Sequence, residues 1–432
     1  MILGSERLKN LGNVRAMRAL RYRDFRLFFV GQTISLVGTW MQIIAMSWLV
    51  YRLTGSPFIL GLVGFCGQVP SMFVAPFAGV LADRWPRRRI LVATQTLSML
   101  QALAISALVF SDLVAVWHLV LLSITLGCIN AFDIPARQSL FVEIVEDRDD
   151  LGNAIALNSS MVNGARLIGP SVAGILIATV GEGLCFLING VSFVPVVIAL
   201  LAMNPSRREF SGVHPPVLAS LKEGFNYAFG FAPVRWILML LALISVVGVP
   251  YSVLMPVFAT KILHGGSHTL GFLMGSAGFG ALAGALYLAS RPSAAGLGRI
   301  LVLTTSLFGV SLVVFSYSTL FWASMAILLA AGFGMLISLA GCNTILQTIV
   351  DDDKRGRIMS FYTMAFMGMT PWGNLLAGTL ASRLGAPMTV RLGGIACIIG
   401  ALIFATRLKR IRALIHPIYA GKEVLPTPES DG

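Results

Sequence analysis

"GVLADRWPRRRIL", residues 79–91, sets one aspartate, Asp83, among four arginines, Arg84, Arg87, Arg88 and Arg89, in a short turn between two long apolar runs. The wider composition explains the setting. Of 432 residues, 56% are hydrophobic and 12% charged, with a mean hydropathy of +0.82, whereas an ordinary soluble domain carries about 25% charged residues. The turn therefore reads as a loop at a membrane surface, and the chain as a membrane protein rather than a soluble domain.

A helix needs about 20 mostly apolar residues to cross a bilayer. That criterion predicts twelve crossings, at 27–51, 57–81, 89–110, 115–136, 154–179 and 183–203, then at 235–260, 269–290, 299–317, 320–343, 357–381 and 387–406. The expected organisation is a basic arm (1–26), a six-helix bundle (27–203), a polar linker (204–234), a second six-helix bundle (235–406) and a tail (407–432). Cytoplasmic loops collect Lys and Arg. With the N-terminus inside, 27 of the 32 Lys and Arg residues fall on the cytoplasmic side; Arg52, Lys261, Arg383 and Arg391 face outward, and Arg166 lies within a span. Both termini are thus expected in the cytoplasm. The net charge of +13 is accounted for by topology and attraction to anionic lipid, without nucleic acid. The basic arm lacks an apolar core, so the first helix is expected to act as an uncleaved insertion signal.

Sliding the chain on itself gives matches at two offsets. At 204, Asp147, Asp149, Gly152, Gly169, Ala173, Gly174 and Leu176 fall on Asp351, Asp353, Gly356, Gly373, Ala377, Gly378 and Leu380. At 210, Gly61 falls on Gly271, and "RILV" at 89–92 on "RILV" at 299–302. Two related six-helix halves place a binding cavity near the bilayer midplane, with rocking of the halves giving alternating access.

The opening turn resembles a motif of the major facilitator superfamily. The loop between helices 2 and 3 in that family reads G-x-x-x-D-R-x-G-R-R, matched here by Gly79, Asp83, Arg84, Arg87 and Arg88, with Pro86 in place of a glycine. Exporting antiporters of the family carry G-x8-G-x3-G-P-x2-G-G in helix 5. This chain has Ala156, Ala165, Gly169, Pro170, Ala173 and Gly174 at those positions. Close helix packing accounts for the same small residues. The stretches "RDFRLFFVGQTISLVGTWM" from 23, "FDIPARQSLF" from 132 and "LGNAIALNSSMVNGARLIGPSVAG" from 151 resemble the branch containing the enterobactin exporter, secretion proteins and macrolide-efflux proteins. The resemblance implies an all-α fold of twelve helices in two pseudo-symmetric bundles, with helices 1, 4, 7 and 10 lining the cavity. It also implies a gate at Gly79, Asp83, Arg84, Arg87 and Arg88, and export coupled to proton entry.

Polar residues recur at helical spacing in three spans: Gln32, Ser35, Thr39 and Gln42; Ser123, Gly127, Asn130, Asp133 and Arg137; Ser159, Asn163, Arg166 and Pro170. Such stripes avoid lipid and face either a neighbouring helix or a water-filled cavity. The candidate cavity residues are Gln32, Thr39, Trp40, Gln42, Asn130, Asn163, Arg166 and Tyr251. Arg166, halfway along its span, is expected to meet Asp133, a helix end or the substrate. The only deep charge being positive, a neutral or anionic substrate is favoured over a cationic one. Asp133 is the candidate proton carrier.

No pattern points to an enzyme: there is no G-x4-G-K-[ST] phosphate loop, and "GFGALAG" at 278–284 fits helix packing. The five cysteines, Cys66, Cys128, Cys185, Cys342 and Cys397, and five histidines form no metal-ligand pattern. No cofactor or metal is expected. The linker stretch from 216 to 231 reads as an interfacial amphipathic helix, and the chain beyond 417 as disordered. The expected function is secondary active export of a hydrophobic or anionic small molecule, such as a siderophore or antibiotic, by a monomer in a bacterial inner membrane. An importer or lipid flippase of the same fold, and a membrane sensor or assembly factor that transports nothing, remain alternatives.

Overall fold

The computed structural model describes residues 15–74, 78, 85–145, 147–203, 225–291 and 293–421. Among these residues there is no strand. Long helices follow one another: α1 (Arg23–Thr54), α2 (Pro57–Val74), α3 (Arg87–Phe110), α4 (Val116–Ile144), α5 (Arg148–Val180) and α6 (Glu182–Ala202). Then come α7 (Ala232–Ile262), α8 (Ser267–Ala289), α9 (Leu297–Phe315), α10 (Phe321–Ile349), α11 (352–384) and α12 (Ala386–Gly421). Among the described residues eleven of these are long and apolar enough to cross a membrane. The exception, α11, opens on "DDKRGR" and carries Thr370, Pro371, Gly373 and Asn374 further on, which dilute its apolar content.

Local chemistry sets the breaks. Pro70 has no N–H to give the helix, and α2 turns at residues 67–68 just before it. Pro250 and Pro256 likewise interrupt α7, whose regular pitch gives way to π and 3-10 turns between Ile244 and Ile262. The tight turns after α5 and α11 use Gly181 and Gly385, both at φ 85°, a conformation open to glycine and strained for other residues. These two positions are 204 apart, which extends the internal repeat into the turns.

Two ends differ from the sequence reading. The expected last span stops at 406, yet α12 continues as helix to Gly421, burying Ile411, Ile415 and Tyr419. At 36 residues it is about 54 Å long at 1.5 Å per residue, well beyond the roughly 30 Å hydrocarbon core. Burial of one apolar stripe explains why the basic stretch stays helical. Near the other end, Arg15–Arg21 forms a short 3-10 helix that docks on the start of α5. The Ala19 amide donates to Asn153 Oδ1 (3.0 Å), Arg21 pairs with Asp150 (2.8 Å), and the Tyr22 hydroxyl donates to the same carboxylate (3.0 Å). Hydrogen bonding to Tyr22, reinforced by Asp150 and Asp147, holds the Arg21 pKa above its ordinary value. Residues up to 224 of the expected linker helix lie outside the described residues.

The chain forms two compact units: residues 1–55, 66–211 and 265–275, and residues 56–65, 212–264 and 276–432. Each unit thus takes a short piece from the other half of the sequence. In the first unit that piece is the start of α8, and it crosses α5 glycine on glycine. A Cβ on Gly271 would lie 2.6 Å from the Pro170 carbonyl oxygen and 2.7 Å from Gly174 Cα; one on Gly174 would lie 2.9 Å from the Ser267 carbonyl oxygen. In the second unit the piece is the start of α2, and it crosses α11. There a Cβ on Gly61 would press on the Asn374 carbonyl and lie 2.9 Å from Gly378 Cα; one on Gly378 would lie 2.8 Å from the Pro57 carbonyl oxygen. Gly61 and Gly271 are 210 apart, Gly174 and Gly378 204 apart. The glycines of the internal repeat are therefore the four residues of two equivalent crossings, where backbones meet closely because no side chain intervenes. One turn earlier Gly169 faces α1, where an added Cβ would lie 3.0 Å from the Val37 carbonyl oxygen, and its counterpart Gly373 faces α7, where one would lie 2.7 Å from Pro250 Cγ.

The core of the first unit also carries a buried polar relay. The Asn189 amide donates to Gln42 Oε1 (2.7 Å), Gln42 to Gln101 Oε1 (3.0 Å), and Gln101 to the Leu122 carbonyl (3.2 Å). This chain joins α6, α1, α3 and α4 by hydrogen bonds unavailable in lipid.

Gly61→Ala and Gly271→Ala are expected to lower stability by about 1–3 kcal/mol each, because the added methyl meets backbone rather than a yielding side chain. Gly152 and Gly356 have open space around them, so alanine there should be neutral or mildly stabilising. Thermal denaturation of purified protein checks this contrast. The same assay should show a loss of about 1–3 kcal/mol for Gln42→Leu, which leaves the buried Asn189 Nδ2 donor and the Gln101 Oε1 acceptor unmet.

Candidate functional site

Of the expected gating motif, Gly79, Asp83 and Arg84 lie outside the described residues. Pro86 is the residue before α3, and its carbonyl accepts from the Arg89 amide at 2.8 Å, so proline here opens a helix. Arg87 pairs with Glu143 of α4. Arg88 donates to the Leu201 carbonyl at 2.6 Å, capping the last turn of α6. These arginines tie the start of α3 to the ends of two neighbouring helices.

The first polar stripe faces helices more than open space. Gln32, Ser35 and Gln42 are buried, and Gln42 is the centre of the polar relay. Thr39 is half-buried and bonds back to the Ser35 carbonyl. In the second stripe, Gly127 packs on the α2 turn, where Ser71 donates to its carbonyl at 2.8 Å, and Asn130 is half-buried. Asp133 is only 2% exposed. It accepts from Thr94 (2.8 Å) and Gln95 (2.7 Å) on α3 and pairs with Arg137 one turn along its own helix. The Asp133–Arg166 pair that the sequence left open is not the one formed; the i,i+4 geometry on α4 favours Arg137.

Arg166 lies instead beside Trp40, with its guanidinium carbon 5.5 Å from the indole centroid. The contact is a cation–π interaction worth about 0.5–2 kcal/mol. It follows from packing: Gly169, one turn beyond Arg166, lets α5 approach the backbone of α1 at Val37–Met41. Arg166 and Trp40 are both half-buried. Asn163, three residues before Arg166, is half-buried and donates to the Ser159 carbonyl at 2.9 Å. The result is a cation, an aromatic face and an amide within one region of the first unit, near the middle of α5. Tyr251 lies in the second unit, buried edge-on against Phe308 with ring centroids 6.0 Å apart.

The helix-5 motif resolves into contacts. Gly169 serves the crossing with α1, while Pro170 and Gly174 serve the crossing with α8. The sequence marked these three as a group but carried no sign that they address two different helices. It also missed two ion pairs. Arg52 binds the buried Glu182 in a cavity of 560 Å³ that His268 and Asp112 also line, and Arg21 binds Asp150. Among the described residues no group of three or more His, Cys, Asp or Glu side chains is arranged to hold a metal ion.

Comparison with known proteins places this geometry. The transmembrane secretion effector model matches residues 15–418. A staphyloferrin A transporter of Staphylococcus aureus is 26% identical over 384 residues, covering 88% of this chain and 95% of its own. The multidrug efflux pump Tap of Mycobacterium tuberculosis is 24% identical, covering 87% and 91%. Macrolide efflux protein A of Streptococcus pyogenes is 22% identical, covering 91% and 99%. Among solved structures, a bacterial homologue of the human lysosomal transporter Spinster superposes with a TM-score of 0.67 at 15% identity, covering 94% and 99% of the two chains. A bacterial homologue of the iron transporter ferroportin does so at 0.65 and 16%, covering 89% and 98%. With its multi-pass helical fold, the chain belongs to the transmembrane secretion effector family of the major facilitator superfamily, whose members are transporters of small molecules and not enzymes.

Proposed function

We propose that the protein is a secondary active exporter that carries an anionic or neutral amphipathic molecule out of the cytoplasm, by alternating access, in exchange for protons. The observation that carries the substrate reading is Arg166 over Trp40 in the middle of α5. A guanidinium presents a planar fork to a carboxylate or similar oxyanion, and the indole face beside it accepts an apolar body. A cationic drug meets repulsion at the same point. Relatives named for siderophore transport and for drug and macrolide efflux support export of organic molecules of this size.

The crossings of α5 with α8 and of α11 with α2 supply the moving parts. Glycine surfaces hold no interlocked side chains, so they can part and re-form without rotamer changes. Asp133 carries the proton: protonation removes the charge that holds Arg137, releasing an arginine at one end of α4 when the carboxyl is neutral. The basic loops put both termini in the cytoplasm, and the host membrane is the bacterial inner membrane. The protein works as a monomer, surrounded by lipid and without cofactor.

Transport into inverted membrane vesicles under an imposed proton gradient tests direction. Accumulation of an anionic siderophore is expected there, and accumulation only in right-side-out vesicles would contradict export and favour an importer. In the same assay Arg166→Gln should reduce uptake about tenfold, the value of one charge-assisted hydrogen bond. An unchanged rate would remove Arg166 from the substrate site. Asp133→Asn keeps the acceptor oxygen for Thr94 and Gln95, so the expected result is substrate exchange without a response to the gradient. Full gradient-driven accumulation by that variant would assign the proton elsewhere.

A further inference from the structure

A cavity of 310 Å³ lies in the second unit, away from the residues assigned to substrate, between α7, the start of α9, α10 and the extended end of α12. Its wall is apolar, formed by Ile237, Ile345, Phe404, Leu408 and Ile411. Into one side come Arg299 and Arg412. Among the described residues neither arginine forms an ion pair with a carboxylate. His416 joins them. The opening turn of α9, Gly296, Gly298 and Arg299, lines the same side.

Two like charges brought together on an apolar wall are unfavourable without a counter-charge. The extension of α12 past the length needed for a span builds this wall and brings Arg412 to it. We propose that the cavity is a binding site for an anionic phospholipid, whose phosphate bridges Arg299 and Arg412 while the start of an acyl chain covers the isoleucine and leucine wall. Charge complementarity selects an anion, and the guanidinium fork suits a phosphate. The apolar wall selects a lipid over a free anion, since inorganic phosphate would leave that surface wet. Arg299 in the first turn of α9 and Arg412 on the part of α12 beyond the expected span put the headgroup at the interface, where basic pockets between spanning helices bind anionic lipid. Assignment to the cytoplasmic leaflet rests on the orientation proposed above; binding itself does not depend on export.

Native mass spectrometry of the full chain, released from detergent with added phosphatidylglycerol or with phosphatidylcholine of the same chain length, tests the site. One retained phosphatidylglycerol adduct is expected, favoured at least tenfold over phosphatidylcholine. Arg299→Gln and Arg412→Gln should each weaken it about tenfold, while the paired Lys replacements keep a preference for the anionic lipid. Retention of that preference shows that the fold and cavity survive substitution. Equal binding of the two lipids, or an adduct indifferent to both Gln variants, would overturn the proposal. Glycerol phosphate displacing the lipid at equal concentration would also overturn it, by showing a site for a small anion only.

Discussion

Two backbone-to-backbone crossings organise the molecule. Where α5 meets α8, and where α11 meets α2, glycine faces glycine, and a single added methyl would strike a carbonyl or a Cα at 2.9 Å or less. Lipid tails are as apolar as leucine, so helices in a membrane gain little from burying apolar surface and associate through close packing and polar contacts. Glycine supplies the closest packing available. It also removes the knobs that would lock two helices in one register, so the same contact is tight when made and free to separate. The transport cycle proposed above draws on this property: it requires these surfaces to part and re-form.

Polar groups do a different job. The Asn189–Gln42–Gln101 relay, the Asp133 cluster and the Arg87–Glu143 pair each join helices within the first unit, where an unmade hydrogen bond is costly. They fix helices to one another by directed hydrogen bonds, which the glycine crossings lack. Arg166 stands apart because its neighbour is an aromatic ring, Trp40, met by a cation–π contact rather than a hydrogen bond. The Arg299 and Arg412 pair belongs to the second unit, where it faces an apolar wall at a helix end.

The sequence made some of this legible and some not, for physical reasons. Span positions are readable because crossing a bilayer imposes a length on apolar runs. Gly61, Gly174, Gly271 and Gly378 were visible as repeat matches, since close backbone contact tolerates only the smallest residues. Which helix each one meets is a property of the folded pair, and periodicity is silent on it. Gln42 was placed on a polar stripe with two possible faces; its partners on α3 and α6 come from distant parts of the chain, and only packing selects them. Arg166 and Trp40 were each singled out, but their contact depends on how near Gly169 lets α5 come to α1. Asp133 was one of three partners open to Arg166; packing pairs it with Arg137, its i,i+4 neighbour on the same polar stripe. The helical end of α12 was missed because its composition is basic and its burial depends on neighbouring helices.

The central claim is that the glycine crossings must part for transport. A Cβ at Gly275 lies 3.6 Å from Ser171 Cβ in the first unit, and one at Gly64 lies 3.5 Å from Asn374 Cβ in the second, both near the separation a disulfide requires. The most direct measurement is transport by Ser171→Cys/Gly275→Cys and by Gly64→Cys/Asn374→Cys, in chains whose five natural cysteines are replaced, before and after mild oxidation in membranes. The account predicts that each pair cross-links, that transport stops, and that a reductant restores it. Undiminished transport by the cross-linked protein, or failure of both pairs to cross-link, would contradict it.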